Sequence, residues 1–361
     1  MDFELSDDQR AIADLAEQIL GDKASHERLR ELEKGGGPRL DEELWQDFAE
    51  AGLLGIAVPE AQGGAGLGFL ELAVILEQIG RRTAPIPFLE TAVLGVLPLA
   101  AFGSSEQQEA WLPGVVRGEV RLSAALVADE AVRAERDGEG FRLTGTALFV
   151  PAAESADAIL VAALFEGRES LFLVESGAAG VSREALITTS GQPESRLAMD
   201  GAPARFRLAG EGCADWLRER ATAALCMLAL GVCEEALELT SEYVKTRKQF
   251  DQPIAMFQAV GHRAADAFID TEAVRLTAWQ AAWRLGSDLE AARQIAVAKV
   301  WAAEGGKRIV QAAQHLHGGV GVDREYPLHR YYLYARQIEL TLGGGTPQLL
   351  RLGRMLAEES A

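Results

Sequence analysis

The sequence has few cysteines and a shortage of basic residues. Its 361 residues include three cysteines, an odd number without the paired spacing of a disulfide framework or metal site. We therefore expect free thiols and no metal centre. Lysine and arginine total 35 against 54 aspartates and glutamates, which gives a formal charge of −19. Such a charge repels phosphate backbones and anionic lipid surfaces, so we expect no nucleic-acid partner.

Long apolar runs are also missing. The longest uncharged stretches, residues 91–105 and 221–233, fall short of the about 20 residues that a membrane-spanning helix needs. Residues 1–10 are acidic and lack the basic start and apolar run of a signal peptide. These absences predict a cytoplasmic protein without membrane insertion.

The patterns that are present predict an α+β multi-domain fold. Helical periodicity covers about the first 115 residues, and short apolar runs separated by glycine, aspartate and proline follow over 119–208. Helical patterns return at about 221–246, 257–285, 289–317 and 347–358. Runs of one element type followed by runs of another favour separate domains, which we place at 1–115, 116–212 and 213–361.

Two segments of the third domain carry groups that suit a phosphate ligand. Lys245, Arg247 and Lys248 end one predicted helix, where cations either complement the helix dipole or, in the case of Arg247, hold a diphosphate. Gly318 and Gly319 follow another helix, where they either end it or let the backbone approach a cofactor closely. From the residues alone, the simpler structural role is favoured in both cases.

Several segments together resemble the acyl-CoA dehydrogenase family over nearly the whole chain. Towards the N-terminus they are residues 3–20, 45–46, 51–55, 58–60 and 63–64. Towards the C-terminus they are 247–250 (Arg-Lys-Gln-Phe), 257–260 with 262, 318–321 and 325–328. Each is weak alone, but they occur in the order found in that family. The resemblance implies a helical N-terminal domain, a β-sandwich or barrel middle domain and a C-terminal four-helix bundle.

The resemblance also implies a chemistry. Members of that family use FAD to remove an α proton and a β hydride from an acyl-CoA, with a glutamate as the base. Carried over by resemblance, the cofactor-binding residues are Arg247, Phe250, Gln258, His315, Gly318, Gly319, Thr346 and Gln348. In the family these residues contact the adenosine diphosphate end of an FAD that the neighbouring subunit mainly binds. The resemblance therefore implies a homo- or hetero-oligomer (dimer or tetramer) with an acyl-CoA dehydrogenase partner subunit, and an electron transfer flavoprotein as the acceptor.

The expected base is missing. Counting back from Gly345-Thr346 places Gly344 at the usual glutamate position, and counting forward from 325–327 places Leu342 there. Some relatives carry the base 22 residues before the tyrosine that matches Tyr243, a position that Ala221 occupies here. Glu219 lies two residues away, which on a helix is a rotation of about 200°. It is therefore only a weak candidate.

Further departures from the family pattern lie at the flavin-ring end and in the two C-terminal motifs. Phe149 stands where a tryptophan usually covers the flavin ring, and Pro151 has no N–H to donate. Asp251 replaces a usual glycine, and His315 replaces a usual glutamine.

This pattern leads to a hypothesis with two alternatives. We expect a catalytically incomplete subunit of a heteromeric acyl-CoA dehydrogenase, which completes the FAD site of a partner that supplies the glutamate. One alternative is a self-sufficient dehydrogenase that uses Glu219 as a relocated base. The other is a non-enzymatic scaffold that kept the fold.

Overall fold

Helices flank a β region along the chain. The computed structural model describes residues 4–36 and 39–359, so Phe3 of the resembling segment 3–20 lies outside the described residues. The helices are α1 (Asp7–Lys23), α2 (His26–Lys34), α3 (Glu42–Glu50), α4 (Phe69–Arg82), α5 (Leu97–Phe102), α6 (Ser105–Val116), α7 (Cys213–Thr246), α8 (Gln258–Gly286), α9 (Ala292–Val300), α10 (Gly306–His317), α11 (Leu328–Leu340) and α12 (Gly345–Glu359).

The strands lie mostly between α6 and α7. They are β1 (Leu122–Ala125), β2 (Arg133–Asp137), β3 (Gly140–Pro151), β4 (Ala158–Phe165), β5 (Arg168–Glu175), β6 (Val181–Leu186), β7 (Glu194–Ala204) and β8 (Phe206–Arg207), with β9 (Lys248–Gln249) and β10 (Gln252–Pro253) after α7. The fold class predicted from the sequence is therefore confirmed. The domain boundaries at 115 and 212 stay a prediction.

The chain divides into two compact units. Unit 1 comprises residues 1–28, 73–84 and 222–361, and unit 2 comprises residues 29–72 and 85–221. No helix of the described residues combines the length and apolarity needed to cross a membrane.

Local sequence explains where the helices begin. At the start of α1 the Ser6 hydroxyl accepts a hydrogen bond from the Gln9 amide, while the Gln9 side chain accepts one from the Ser6 amide. Ser104 and Gln107 form the same reciprocal arrangement at α6. Each pair satisfies amide groups that the first helical turn leaves without a backbone partner.

Unit 2 contains one mixed sheet with the order β6-β7-β3-β2-β4-β5-β8, and β1 pairs with β4. β1 and β2 run parallel to β4, and the other neighbours are antiparallel. Phe141, Phe165 and Phe172 pack edge to face, with ring centroids 5.1–6.1 Å apart. This aromatic cluster belongs to the core on one face of the sheet.

Two glycines in unit 1 set the spacing of α4 and α7. A Cβ on Gly80 would lie 2.3 Å from the Leu228 carbonyl oxygen, and a Cβ on Gly231 would lie 2.0 Å from the Glu77 carbonyl oxygen. Either distance is far inside van der Waals contact. The absence of side chains at both positions therefore lets the two helix backbones touch.

A charged cluster lies beside this crossing. Arg81 pairs with Glu234 at 2.8 Å, and Arg275 pairs with the same carboxylate. Trp279 donates its indole N–H to Glu77 at 3.2 Å. Burial, reinforced by the negative charge of Glu234, raises the pKa of Glu77 to about 8. At neutral pH Glu77 is therefore largely protonated.

Unit 1 also buries a lysine and two thiols. Lys299 is fully buried on α9, and its ammonium donates to the Ile338 carbonyl near the end of α11. Burial lowers the pKa of Lys299 to about 8 and raises that of Cys226 to about 12. Cys213, Cys226 and Cys233 are all buried and free, as expected from their number and spacing.

Candidate cofactor site

A short hairpin follows α7 and carries the first candidate segment. The Arg247 carbonyl accepts a hydrogen bond from the Ile254 amide at 2.8 Å, which closes the β9–β10 hairpin. Its tip residues Phe250 and Asp251 both have positive φ, at 53° and 63°. This two-residue turn favours glycine or asparagine and aspartate, which tolerate the left-handed region. Asp251 therefore suits the left-handed conformation that this turn requires.

Arg247, at the base of the hairpin, and Phe250, at its tip, are both exposed to solvent. Arg247 is exposed and makes no ion pair with any residue that the structure describes. Phe250 is 86% exposed, and its ring lies edge-on to Phe257 at 6.1 Å. Phe257 precedes α8, whose first residue, Gln258, is exposed and whose first turn has no side-chain cap. A guanidinium and an uncapped helix N-terminus both attract an anion.

The second segment is the glycine turn, which we define as Gly318–Gly319. Gly318 ends α10 with φ 59° and ψ −134°, a conformation open to glycine but strained for other residues. Gly319 has no positive φ, and a Cβ added there would have no other atom within 4 Å. The backbone at Gly319 is therefore open to close approach by a ligand. His315 is exposed in the last turn of α10.

An aromatic stack brings the two segments together. The His317 ring stacks on the Tyr243 ring with centroids 4.3 Å apart and planes at 23°. Tyr243 lies in the last turn of α7, and its carbonyl accepts from the Arg247 amide at 2.8 Å. Burial lowers the pKa of His317, so the imidazole is neutral near pH 7. Arg247 and the glycine turn are thus joined through two packed rings.

The third segment is the start of α12. Thr346 is exposed, whereas Gln348 is 5% exposed. The side-chain amide nitrogen of Gln348 donates to the Leu342 carbonyl at 3.1 Å, and the Oε1 atom of the same side chain has no hydrogen-bond partner among the described residues. A buried acceptor without a donor is uncommon in folded proteins. Gln348 therefore has one acceptor available to a bound group.

The structure places no carboxylate at the expected base positions in the loop before α12. Leu342 adopts a positive φ of 57°, and a Cβ on Gly344 would lie 3.2 Å from the Glu339 carbonyl oxygen. The Glu339 side chain is 7% exposed and pairs with Arg336. This carboxylate is already committed to an ion pair within α11.

The alternative base position, on α7, also lacks a carboxylate because residue 221 is alanine. Ala221 is 1% exposed, so a longer side chain there would have to displace its neighbours. Glu219 is half-buried, two residues earlier on the same helix. The sequence-based assignment of Glu219 as a weak candidate stays a prediction.

A carboxylate beside Gly345 was not predicted from the sequence. Glu304 lies in a π-helical turn between α9 and α10, at residues 301–305. A Cβ on Gly345 would lie only 2.8 Å from the Glu304 Oε1 atom. A carboxylate near the first residue of α12 complements the helix dipole. π-helical turns are frequent at functional sites, but nothing in the sequence pattern indicates this one.

Unit 2 carries the residue expected near the flavin ring. Phe149 is 58% exposed with a positive φ of 53°, at a register shift between Ala147 and Val150 in β3. An irregularity of this kind re-aims a side chain out of the strand pattern. The Pro151 carbonyl accepts from the buried Ser123 hydroxyl. Pro151 thus acts as an acceptor, because it has no N–H.

Comparison with known proteins decides the family. Residues 6–119 match the family model for the acyl-CoA dehydrogenase N-terminal domain, and residues 210–356 match that for the C-terminal domain. The chain belongs to the acyl-CoA dehydrogenase family. The family membership expected from the sequence is confirmed, and with it, at the family level, FAD as cofactor and oxidoreductase activity on CH–CH groups.

Three members of the acyl-CoA dehydrogenase family illustrate the similarity. The acyl-CoA dehydrogenase FadE27 of Mycobacterium tuberculosis is 42% identical, with 100% of both chains covered. A chain in the crystal structure of the ChsE4–ChsE5 complex from Mycobacterium tuberculosis is 43% identical, with a TM-score of 0.96 and 99% of each chain covered. A chain of a Tcur3481–Tcur3483 steroid acyl-CoA dehydrogenase variant is 43% identical, with a TM-score of 0.93 and 98% of each chain covered.

The residues of unit 1 fit one end of the FAD molecule. An exposed guanidinium, an uncapped helix N-terminus and a glycine turn with open space suit a diphosphate. The unpartnered Gln348 acceptor suits a hydroxyl or N–H donor. The cofactor roles of these individual residues stay predictions.

Proposed function

We propose that the chain is a catalytically incomplete subunit of a heteromeric, FAD-dependent acyl-CoA dehydrogenase. The observation that carries the proposal is an asymmetry. Arg247 is exposed and the backbone at Gly319 has open space around it, so both are available to a diphosphate. By contrast, Leu342, Gly344 and Ala221, none of which has a carboxylate, occupy the positions of the family's base. Such a chain retains the means to hold part of a cofactor and lacks a group to take up the α proton.

The proposal assigns a role in cofactor binding to Arg247, to the start of α8 and to Gly319. When bound, FAD supplies the hydride acceptor. The Arg247 guanidinium would hold the diphosphate, and the first N–H groups of α8, at Gln258, would add a favourable dipole. The open backbone of Gly319 allows close approach without a steric penalty. The partner subunit contributes the carboxylate that accepts the substrate proton.

The relatives support a two-component assembly. The ChsE4–ChsE5 and Tcur3481–Tcur3483 structures are each named for two components, and the chain resembles one chain of each at 43% identity. We therefore propose a hetero-oligomer with a second acyl-CoA dehydrogenase subunit. An electron transfer flavoprotein is the proposed acceptor, and the cytoplasm is the proposed location.

We propose an acyl-CoA thioester as the substrate. The Tcur3481–Tcur3483 enzyme is named as a steroid acyl-CoA dehydrogenase, so an acyl-CoA with a steroid ring system is the first substrate to test. A linear acyl-CoA of similar acyl mass is the matched comparison. The reaction belongs to the complex rather than to the isolated chain.

The visible spectrum of the purified chain tests the proposal. The chain is prepared alone and after co-expression with candidate acyl-CoA dehydrogenase subunits, and each preparation is then mixed with acyl-CoA. Flavin absorbance and its bleaching by substrate are expected only in the co-purified complex. Stoichiometric FAD and turnover in the chain alone would refute the proposal.

The same preparations separate the two alternatives. A self-sufficient enzyme would lose turnover on Glu219→Gln, and Glu304→Gln provides the corresponding test for the carboxylate beside Gly345. The proposal predicts that neither substitution abolishes turnover of the complex. A scaffold without chemistry would contain no flavin in any assembly.

A further inference from the structure

His317 occupies an unusual place between the two cofactor segments. It is the last residue of α10, is 3% exposed and directly precedes Gly318. Its Nδ1 atom lies 2.8 Å from the Ala313 carbonyl oxygen. A carbonyl oxygen only accepts, so Nδ1 carries the proton and Nε2 presents a lone pair. The Tyr326 hydroxyl, 3.2 Å from Nε2, is therefore the donor of the second hydrogen bond.

Tyr243 links this ring to the end of α7. Its ring stacks on His317, and its hydroxyl lies 3.4 Å from the His317 carbonyl oxygen, to which it donates. The Tyr243 carbonyl in turn accepts the Arg247 amide proton at 2.8 Å. A continuous series of contacts therefore runs from Arg247 through Tyr243 to His317 and on to Gly318.

Tyr326 closes the loop that follows the glycine turn. Its ring centroid lies 5.1 Å from that of His317 and 6.4 Å from that of Tyr243, so the three rings form a triangle. Gly321 reinforces this packing, because a Cβ there would lie 2.8 Å from the Gln314 carbonyl oxygen. The loop thus folds back onto the end of α10.

We infer that His317 is a positioning residue, which aligns the glycine turn with Arg247 so that both segments meet one diphosphate. The inference rests on the proposed function, because it assumes that the two segments share FAD. An apolar side chain at this position would fill the space without making the two hydrogen bonds. The imidazole fixes both the end of α10 and the return of Tyr326, which together set the direction of Gly318.

Two substitutions separate hydrogen bonding from packing. His317→Phe keeps an aromatic ring for Tyr243 but loses both hydrogen bonds, and Tyr326→Phe removes only the hydroxyl. Tyr332→Phe on α11 is the matched control, since its hydroxyl has no hydrogen bond among the described residues. FAD affinity is measured by flavin fluorescence titration of the assembly in which the chain purifies, and the melting temperature of the cofactor-free protein is measured in parallel.

The expected result is a loss of FAD affinity in the folded protein, and the melting temperature of the two test variants also falls because each removes a hydrogen bond of the His317 ring. Each of the two test substitutions weakens FAD binding by about fivefold to tenfold, the usual equivalent of one or two hydrogen bonds. Tyr332→Phe leaves the affinity unchanged. In an Arg247→Ala background, His317→Phe changes the FAD affinity by less than about twofold, because the guanidinium with which His317 aligns the glycine turn is absent.

The outcomes that overturn the inference differ from those that overturn the proposed function. If His317→Phe and Tyr326→Phe lower the melting temperature but leave FAD affinity unchanged, His317 only supports packing. Fully multiplicative effects of His317→Phe and Arg247→Ala would also overturn the inference, since they would show independent roles. If no assembly binds FAD, or Arg247→Ala leaves the affinity unchanged, the proposed function itself fails.

Discussion

The contact between α4 and α7 should be highly sensitive to a single methyl group. In Gly231→Ala the new Cβ would lie 2.0 Å from the Glu77 carbonyl oxygen and 2.7 Å from the Arg81 amide nitrogen. These two groups belong to consecutive turns of α4, so neither can rotate away as a side chain could. Restoring an ordinary contact of 3.4 Å requires the helices to part by about 1 Å or more.

The cost follows from three contributions. Overpacking of a core by one carbon costs about 1–3 kcal/mol, and a rigid backbone neighbour places this case at the upper end. Weakening the hydrogen bond between the Glu77 carbonyl and the Arg81 amide adds about 1 kcal/mol, and the higher helix propensity of alanine recovers about 1 kcal/mol. The net destabilisation should therefore be about 3 kcal/mol, or roughly 4 °C in melting temperature for a chain of 361 residues.

Differential scanning calorimetry of the full chain provides the measurement. Gly21→Ala in α1 is the matched control, because a Cβ there has no atom within 4 Å and the glycine has no positive φ. That variant should be stabilised by about 0.5–1 kcal/mol. A Gly231→Ala protein as stable as the Gly21→Ala protein would refute the view that backbone contact sets this helix crossing.

Three further predictions concern the glycine turn, Glu77 and Lys299. Gly318→Ala should lower the free energy of unfolding by about 1–2 kcal/mol, because a φ of 59° is strained for alanine. Gly319→Ala should leave the melting temperature unchanged but weaken FAD binding, because its Cβ would occupy open space beside the cofactor. Equal FAD affinity in Gly319→Ala and the parent protein would contradict a close approach at Gly319. The pKa of Glu77, about 8, means that the folded state holds a proton that the unfolded state has lost, so stability should fall as pH rises from about 4.5 to 8, and urea titrations of Glu77→Gln should lack this fall. The pKa of Lys299, about 8, has the opposite consequence, because between pH 8 and about 10.5 the unfolded chain binds a proton that the folded chain has lost. The free energy of unfolding, relative to that of Lys299→Met, should therefore rise across this range. A constant difference between the two proteins would contradict the lowered pKa of Lys299.

The sequence predicted the order of elements but not all of their bounds. The long helix was expected from about 221, yet α7 begins at Cys213, because its first turns pack Cys213, Ala214 and Leu217 into the core. α11 was not predicted at all. Its buried residues Leu328, Tyr331, Ala335 and Ile338 do follow a helical spacing, but the consecutive bulky residues at 331–334 obscure that spacing in the sequence. The Tyr331 hydroxyl also donates to the Arg81 carbonyl at 2.8 Å, a tertiary contact that holds α11 in place.

The candidate site was similarly predictable in part. The family resemblance pointed to Arg247 and the glycine turn as cofactor residues, a role that stays a prediction, whereas the residues alone favoured a structural role for both. The His317–Tyr243 stack joins residues 74 positions apart and has no local sequence signature. Glu304 beside Gly345 was missed for the same reason, since a contact between distant segments depends on packing rather than on spacing.

The burial of every cysteine has a practical consequence for spectroscopy. Cys213, Cys226 and Cys233 are free, buried and shifted towards the protonated thiol, so the folded chain offers maleimide and nitroxide reagents no reactive sulfur. One cysteine introduced at an exposed position outside the candidate cofactor segments, such as Glu290 between α8 and α9, would accept a label selectively while all native thiols remain in place. Distance measurements between that label and a bound flavin could then follow assembly directly in solution.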